Sequence, residues 1–122
     1  MESLPLFLAG SHIRCLVVGG GSVARRKLET IAATGATCRI VAREIATDTR
    51  ELIAAHGFEF VERPFQTDDV GDANLVIAAT NDNSINAEIR RACDAAAVWV
   101  NAVDDPANST VLFPSIVDRS PV

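Results

Sequence analysis

Three cysteines, two histidines, one tryptophan and no tyrosine in 122 residues leave few of the side chains from which metal cages and nucleophilic dyads are built. Cys15, Cys38 and Cys93 show no C-x-x-C spacing, which favours buried free thiols over a disulfide or a metal site. His12 and His56 form no cluster with one another or with the cysteines, so no protein-held metal and no Ser/His or Cys/His pair is expected. No apolar run approaches the ~18 residues of a helical membrane span. The apolar stretch after Met1 lacks a basic leader and is interrupted by Pro5, unlike a signal peptide. Positive charge is short as well. With 11 Lys and Arg against 16 Asp and Glu, the net charge is −5, and the basic face required by a nucleic-acid backbone is missing. These shortages predict a cytoplasmic protein in a reducing compartment, with neither membrane nor nucleic acid as partner.

What is present is 48% apolar residues, rich in Ala and Val, a composition suited to strands and helices packed in layers. The length accommodates one domain, residues 1–122. Its central stretch is Ile13 to Lys27. The run Cys15 to Val18 has no polar alternation, as expected for a parallel strand covered on both faces, and it leads directly into Gly19-Gly20-Gly21-Ser22-Val23-Ala24. Gly19, Gly21 and Ala24 fit the G-x-G-x-x-G/A spacing: a tight turn, a bare backbone that phosphates can approach, and a small residue where helix meets strand. A helix from Ser22 to Thr34, a stop at Gly35 and a second strand from Thr37 to Ala42 complete a βαβ unit, and the helix N-terminus offers unpaired N–H groups to an anion. Arg25, Arg26 and Lys27 crowd that N-terminus, where they mark either a nearby anion or a solvated basic cluster.

Further candidates fall at the ends of other strands. After the second strand come Arg43 and Glu44. Glu44 could take a ribose diol and Arg43 a 2′-phosphate, which leaves both NAD and NADP open. A helix from Asp48 to His56 and a strand from Phe58 to Val61 follow, and Gln66 to Asp72 reads as a loop or one helical turn. A buried strand from Ala73 to Ala79 ends in Ala79-Thr80 before a helix running to about Ala97, and a short strand spans Val98 to Asn101. Asp104 and Asp105 come next, the best-placed acid–base groups in a chain without other catalytic pairs, although Asp105 before Pro106 also reads as a turn residue. Thr110–Phe113 and Ile116–Val122 read as a C-terminal strand pair, and Leu4–Leu8 as an extended segment beside the sheet. The final segment carries no stop signal, which predicts a domain taken from a longer chain. The expected fold class is α/β, a Rossmann-like parallel sheet with helices on both faces.

Taken together, Leu4-Pro5-Leu6-Phe7, Leu16 to Lys27, Ala78 to Asp82 with Asn86, Asn101-Ala-Val-Asp104, and Phe113 to Pro121 resemble the N-terminal domain of siroheme synthase, in order and over nearly the whole chain. The resemblance implies NAD-dependent oxidation of precorrin-2 to sirohydrochlorin, with insertion of Fe²⁺ to give siroheme as a second activity. It implies that Asp104 is the catalytic aspartate, that the glycine turn with Ser22 and Val23 and the pair Arg43 and Glu44 hold the cofactor, and that the C-terminal strand pair opens a region through which a homodimer forms. Its substrate is a tetrapyrrole bearing many carboxylates. The competing reading is a non-catalytic dinucleotide-binding module that senses redox state.

Overall fold

The computed structural model describes residues 2–114. The apolar run of the central stretch lies in strand β1 (Arg14–Val18), and the glycine turn leads into helix α1 (Ser22–Ala32). The chain continues through β2 (Thr37–Ala42), α2 (Thr47–His56), β3 (Glu59–Glu62), β4 (Leu75–Ala78), α3 (Asn83–Ala96) and β5 (Trp99–Ala102), with short 3₁₀ turns at Gly10–His12, Thr67–Val70 and Pro106–Asn108. All strands are parallel, in the order β3-β2-β1-β4-β5. Starting at β1, the chain winds outward through β2 to β3, then crosses back to place β4 on the other side of β1. The crevice at that reversal, outside the carboxyl ends of β1 and β4, is where open α/β sheets bind ligands.

Helices cover both faces. Leu28 and Ile31 of α1 and Ile53 of α2 pack with Val17, Ile40 and Ile77 on one side, together with Cys15 and Cys38. Ile89, Ala92 and Cys93 of α3 pack with Leu16, Val41, Val76 and Val100 on the other, joined by Phe65 and Val70. Central β4 is buried along its whole length, which explains its unbroken apolar sequence. All three cysteines are free and buried. The crossover from β3 to β4 is pinned by Asp69, which accepts from Nη1 and Nη2 of Arg63 (2.8 and 2.6 Å) and from the Gln66 backbone N–H (2.7 Å). The stretch Gln66–Asp72 is thus one helical turn held by a buried carboxylate.

Two expectations are corrected. Leu4–Leu8 does not pack beside the sheet: Leu4, Leu6 and Phe7 are 79%, 60% and 103% exposed, and the segment has no regular structure. Thr110–Phe113 is not a strand. It runs along the outer edge of β5, but side chains replace the expected ladder. Thr110 Oγ1 accepts from the Val100 N–H (2.9 Å) and Ser109 Oγ from the Ala102 N–H (2.9 Å), while Thr110 and Val111 N–H groups both converge on the Val100 carbonyl (2.8 and 3.1 Å). Hydroxyls therefore satisfy the N–H groups that an edge strand would otherwise leave open. Its expected partner, Ile116–Val122, lies outside the described residues.

Thr110→Val keeps the shape and removes the acceptor, stranding the Val100 N–H in the core; chemical denaturation should show a loss of about 1–2 kcal/mol. The Arg63 guanidinium holds the Asp69 carboxyl below its ordinary value, so its contribution is present above the usual carboxylate range and fades as pH falls through the lowered value. Asp69→Asn should destabilise the protein at pH 7 and flatten the decline of stability below about pH 4.

Candidate functional site

Because every strand runs the same way, the loops leaving β1, β2, β4 and β5 meet at one edge, and that edge collects the glycine turn, Arg43-Glu44, Ala79-Thr80 and Asp104. Backbone hydrogen bonds join neighbouring exits. Gly19 N–H donates to Val41 O (2.9 Å), Ala79 N–H to Val18 O (2.8 Å), Ala46 N–H to Gly20 O (3.0 Å) and Val103 N–H to Ala78 O (3.0 Å).

The three glycines have different reasons to be glycine. Gly19 adopts φ +131°, and a Cβ there would lie 2.3 Å from the Ala79 carbonyl oxygen, so the β1 and β4 exits can touch only through a bare backbone. At Gly20 a Cβ would come within 2.2 Å of the Glu44 carbonyl oxygen; the spacing rule assigns this residue no task, and its task is to admit the loop after β2. A Cβ on Gly21 would meet nothing within 4 Å, so its missing side chain leaves free space at the start of α1, which is the space a pyrophosphate needs.

Electrostatics single out the same helix, since α2 is also uncapped but carries Asp48 in its first turn. The N-terminus of α1 has no side-chain cap and no acidic residue in its first turn, whereas α3 is capped by its own Asp82, whose Oδ1 accepts from Ser84 and Ile85 N–H groups (2.8 and 3.3 Å). The α1 terminus therefore keeps its partial positive charge and its donors for an anion. Ala24 is 1% exposed and packed into the core, and this is the close helix–strand contact the motif calls for. An uncapped helix, an open cradle and a small residue at the third position all fit a dinucleotide. Ser22 is exposed and Val23 half-buried at the first turn.

The basic cluster, by contrast, mostly faces elsewhere. Arg25 lies 3.6 Å from both Glu29 and Asp48, and the Lys27 ammonium sits 4.7 Å over the Phe113 ring. These contacts tie α1 to α2 and to the segment beside β5. Arg43 and Glu44 are exposed and make no side-chain hydrogen bond or ion pair among the described residues, at the position where an adenosine ribose lies in this fold. Thr80 is half-buried; its hydroxyl donates to Asn86 Oδ1 (2.6 Å), so it is anchored to the first turn of α3.

After β5 the two aspartates separate in role. Asp105 starts the following 3₁₀ turn and accepts from the Asn108 side-chain amide (2.8 Å), which is turn chemistry. Asp104 is exposed, has no side-chain partner among the described residues, and stands at φ +57°, a left-handed conformation that costs a non-glycine residue about 1 kcal/mol or more. Asn101, just before it, donates from Nδ2 to Val111 O (3.1 Å) and leaves Oδ1 buried without a partner. Positive φ at Asp104 carries no sequence signal, and neither does the role of Gly20. A groove of about 360 Å³ lies at the opposite, amino edge of the sheet, lined by Arg14, Cys15, Cys38, Phe58 and Asp69 among others, far from these loops.

Residues 6–115 match a family model described as "Putative NAD(P)-binding". The chain is 47% identical over all 122 residues to siroheme synthase from Pseudomonas aeruginosa (strain UCBPP-PA14) and 43% identical to siroheme synthase from Tolumonas auensis, and it spans 26% of the length of each. Its fold is similar to that of SirC, a precorrin-2 dehydrogenase, with a TM-score of 0.77 at 22% identity, covering 93% of this chain and 55% of that one. It is also similar, at a TM-score of 0.58 and 16% identity, to the NAD(P)-binding domain of an exopolyphosphatase-related protein from Archaeoglobus fulgidus, covering 84% of this chain and 87% of that one.

The glycines provide an internally controlled test. Gly21→Asp should keep the circular-dichroism spectrum and thermal midpoint of the parent while weakening NAD binding by ~100-fold or more, since a carboxylate enters the pyrophosphate's space. Gly20→Ala should instead lower the thermal midpoint, because its methyl collides with Glu44. Calorimetry showing parental NAD affinity in Gly21→Asp would reduce the turn to a structural feature.

Proposed function

Because the chain belongs to the NAD(P)-binding family whose model it matches from residue 6 to residue 115, we propose that it is the dehydrogenase domain of a siroheme synthase, binding NAD and oxidising precorrin-2 to sirohydrochlorin. The observation that carries this reading is Asp104, a free carboxylate held at positive φ on the edge where the glycine turn opens. The siroheme synthase relatives, similar over every residue of this chain, supply the substrate class.

Bound NAD supplies a hydride acceptor; the protein must supply the rest. Oxidising precorrin-2 removes a proton along with the hydride, and the Asp104 carboxylate is the group at this edge that could hold it. Gly21 and the uncapped first turn of α1 seat the pyrophosphate, with Ser22, Val23 and Ala24 completing that turn. The backbone at Ala79 and the anchored hydroxyl of Thr80 wall the crevice between β1 and β4. Glu44, one residue beyond Arg43, accepts the ribose hydroxyls, and this favours NAD over NADP. The left-handed backbone aims the residue after Val103 away from the β5 direction, so the carboxylate stays clear of the hydrogen bonds that occupy Asp105.

Iron insertion belongs to the same proposal. Fe²⁺ enters as a substrate and displaces two pyrrole protons, and one carboxylate serves for these as for the first proton, without a resident metal. The full-length protein is a homodimer in this reading, supported by the exposed apolar side chains of Leu4, Leu6, Phe7 and Leu112, which would find cover in an assembly.

In the full-length protein, Asp104→Asn should bind NAD with parental affinity and lose ~10²–10⁴-fold in NADH production from precorrin-2. Asp104→Gly should lose the same activity with a thermal midpoint no lower than that of the parent, because glycine adopts the backbone conformation without strain. Asp105→Ala should retain most activity and lose some stability. A parental rate in either Asp104 variant would refute the assignment.

A further inference from the structure

Cys15 of β1 and Cys38 of β2 are direct neighbours in the parallel register. Both are 3% exposed, on the sheet face covered by α1 and α2, and both line the groove of about 360 Å³ that opens at the amino edge. Nothing at the carboxyl edge uses them. They also differ from Cys93, which sits alone in the α3 layer, where burial and neighbouring Asp94 push its thiol up to about 11 and keep it protonated. Hydrogen bonding between the two adjacent thiols lowers the Cys38 thiol below its ordinary value and raises that of Cys15. Each thiol thus has a second thiol directly beside it.

We propose that Cys15 and Cys38 are an oxidisable dithiol at the amino edge of the sheet, and that closing it to a disulfide weakens dinucleotide binding at the carboxyl edge. The oxidant is a peroxide. One of the two sulfurs attacks one peroxide oxygen, the O–O bond breaks, and hydroxide leaves to be protonated to water; the resulting sulfenic acid is attacked by the other thiol, and the second oxygen departs as water. Two thiols lose two electrons and two protons, and hydrogen peroxide becomes two waters.

Geometry supplies the coupling. Strands in register stand ~4.8 Å apart, within the Cα range of a disulfide, but side chains on parallel neighbours project side by side, whereas a disulfide needs Cβ atoms ~3.8 Å apart. Closure therefore draws β1 and β2 together at their amino ends. A close-packed sheet passes such a displacement along its strands rather than absorbing it. From Cys15 the strand β1 runs to Gly19, and from Cys38 the strand β2 runs to Arg43 and Glu44; the two exits are tied by Gly19 N–H to Val41 O and Ala46 N–H to Gly20 O (2.9 and 3.0 Å). Those are the loops that frame the pyrophosphate and ribose positions, so the coupling rests on the dinucleotide reading, whereas the thiol chemistry does not.

The test uses the full-length protein, treated with hydrogen peroxide under native conditions, with free thiols alkylated before digestion and peptide mass spectrometry. A cross-link between Cys15 and Cys38 is expected, with NAD affinity by calorimetry falling about tenfold, a usual size for coupling between sites, and returning on reduction with dithiothreitol. Cys15→Ala and Cys38→Ala should each keep the affinity of their untreated form in peroxide, and Cys93→Ala should respond as the parent does. The reversal by dithiothreitol in the parent protein stands even if an alanine variant fails to fold. Cys15 and Cys38 alkylated separately after peroxide, a cross-link without change in NAD affinity, or an equal loss in Cys38→Ala would each overturn the proposal. Reduced protein with no NAD affinity would overturn the cofactor reading and the coupling, while the mass spectrum still decides whether the disulfide forms.

Discussion

Backbone touching backbone at Gly19 and Gly20 is the constraint on which the site depends. Two strand exits press on the glycine turn, from β4 through Ala79 and from β2 through Glu44, and at either place a single methyl group would stand closer than 2.5 Å to a carbonyl oxygen. Such contact is possible only without side chains. It brings the start of α1 into line with the ends of its neighbours, so that an uncapped helix terminus faces the crevice at the reversal of strand order. Gly21 then leaves that terminus open.

Around this contact, charge is arranged by what each helix start already owns. Asp82 caps α3 and Asp48 sits in the first turn of α2, while α1 has neither a capping side chain nor an acid there, so that of the three helix N-termini along the same edge its donors are the ones left for an external anion. Arg25 and Lys27, which the sequence leaves as either anion-facing or solvated, are instead occupied by Asp48, Glu29 and the Phe113 ring. What the start of α1 still offers an anion is therefore chiefly its backbone N–H groups. On the far side of the crevice Asp104 stands at positive φ with no side-chain partner among the described residues, while the adjacent Asp105 takes up the turn. The left-handed backbone at Asp104 lets the chain turn after β5, closed by Asp105 N–H to Ala102 O (3.1 Å), and leaves its carboxylate outside that turn.

How much was legible differs by element. The strands of the sheet and the helices between them were readable to within a few residues, because unbroken apolar runs and 3.6-residue periodicity each record burial directly. The segment after β5 was not. Its Thr, Val, Leu and Phe have strand propensity, but whether an N–H of β5 meets a backbone carbonyl or the hydroxyl of Ser109 or Thr110 depends on how the chain leaves the Pro106–Asn108 turn. Leu4 to Leu8 misled for the reverse reason: its apolar side chains promise burial, yet the described residues offer them no surface.

By itself the sequence determined the parallel Rossmann-like sheet, the glycine turn and the pair of acids after β5, since each is a local pattern of burial, bare backbone or charge within a few residues. Tertiary structure alone decided why Gly20 has to be glycine, which helix start has neither a capping side chain nor an acidic first turn, and that Asp104 stands at positive φ. Those are properties of approach between segments: Gly20 and Glu44 are 24 positions apart in the chain yet in contact in the fold. A sequence records what each residue can do, and only the packing of strand exits records what lies in its way.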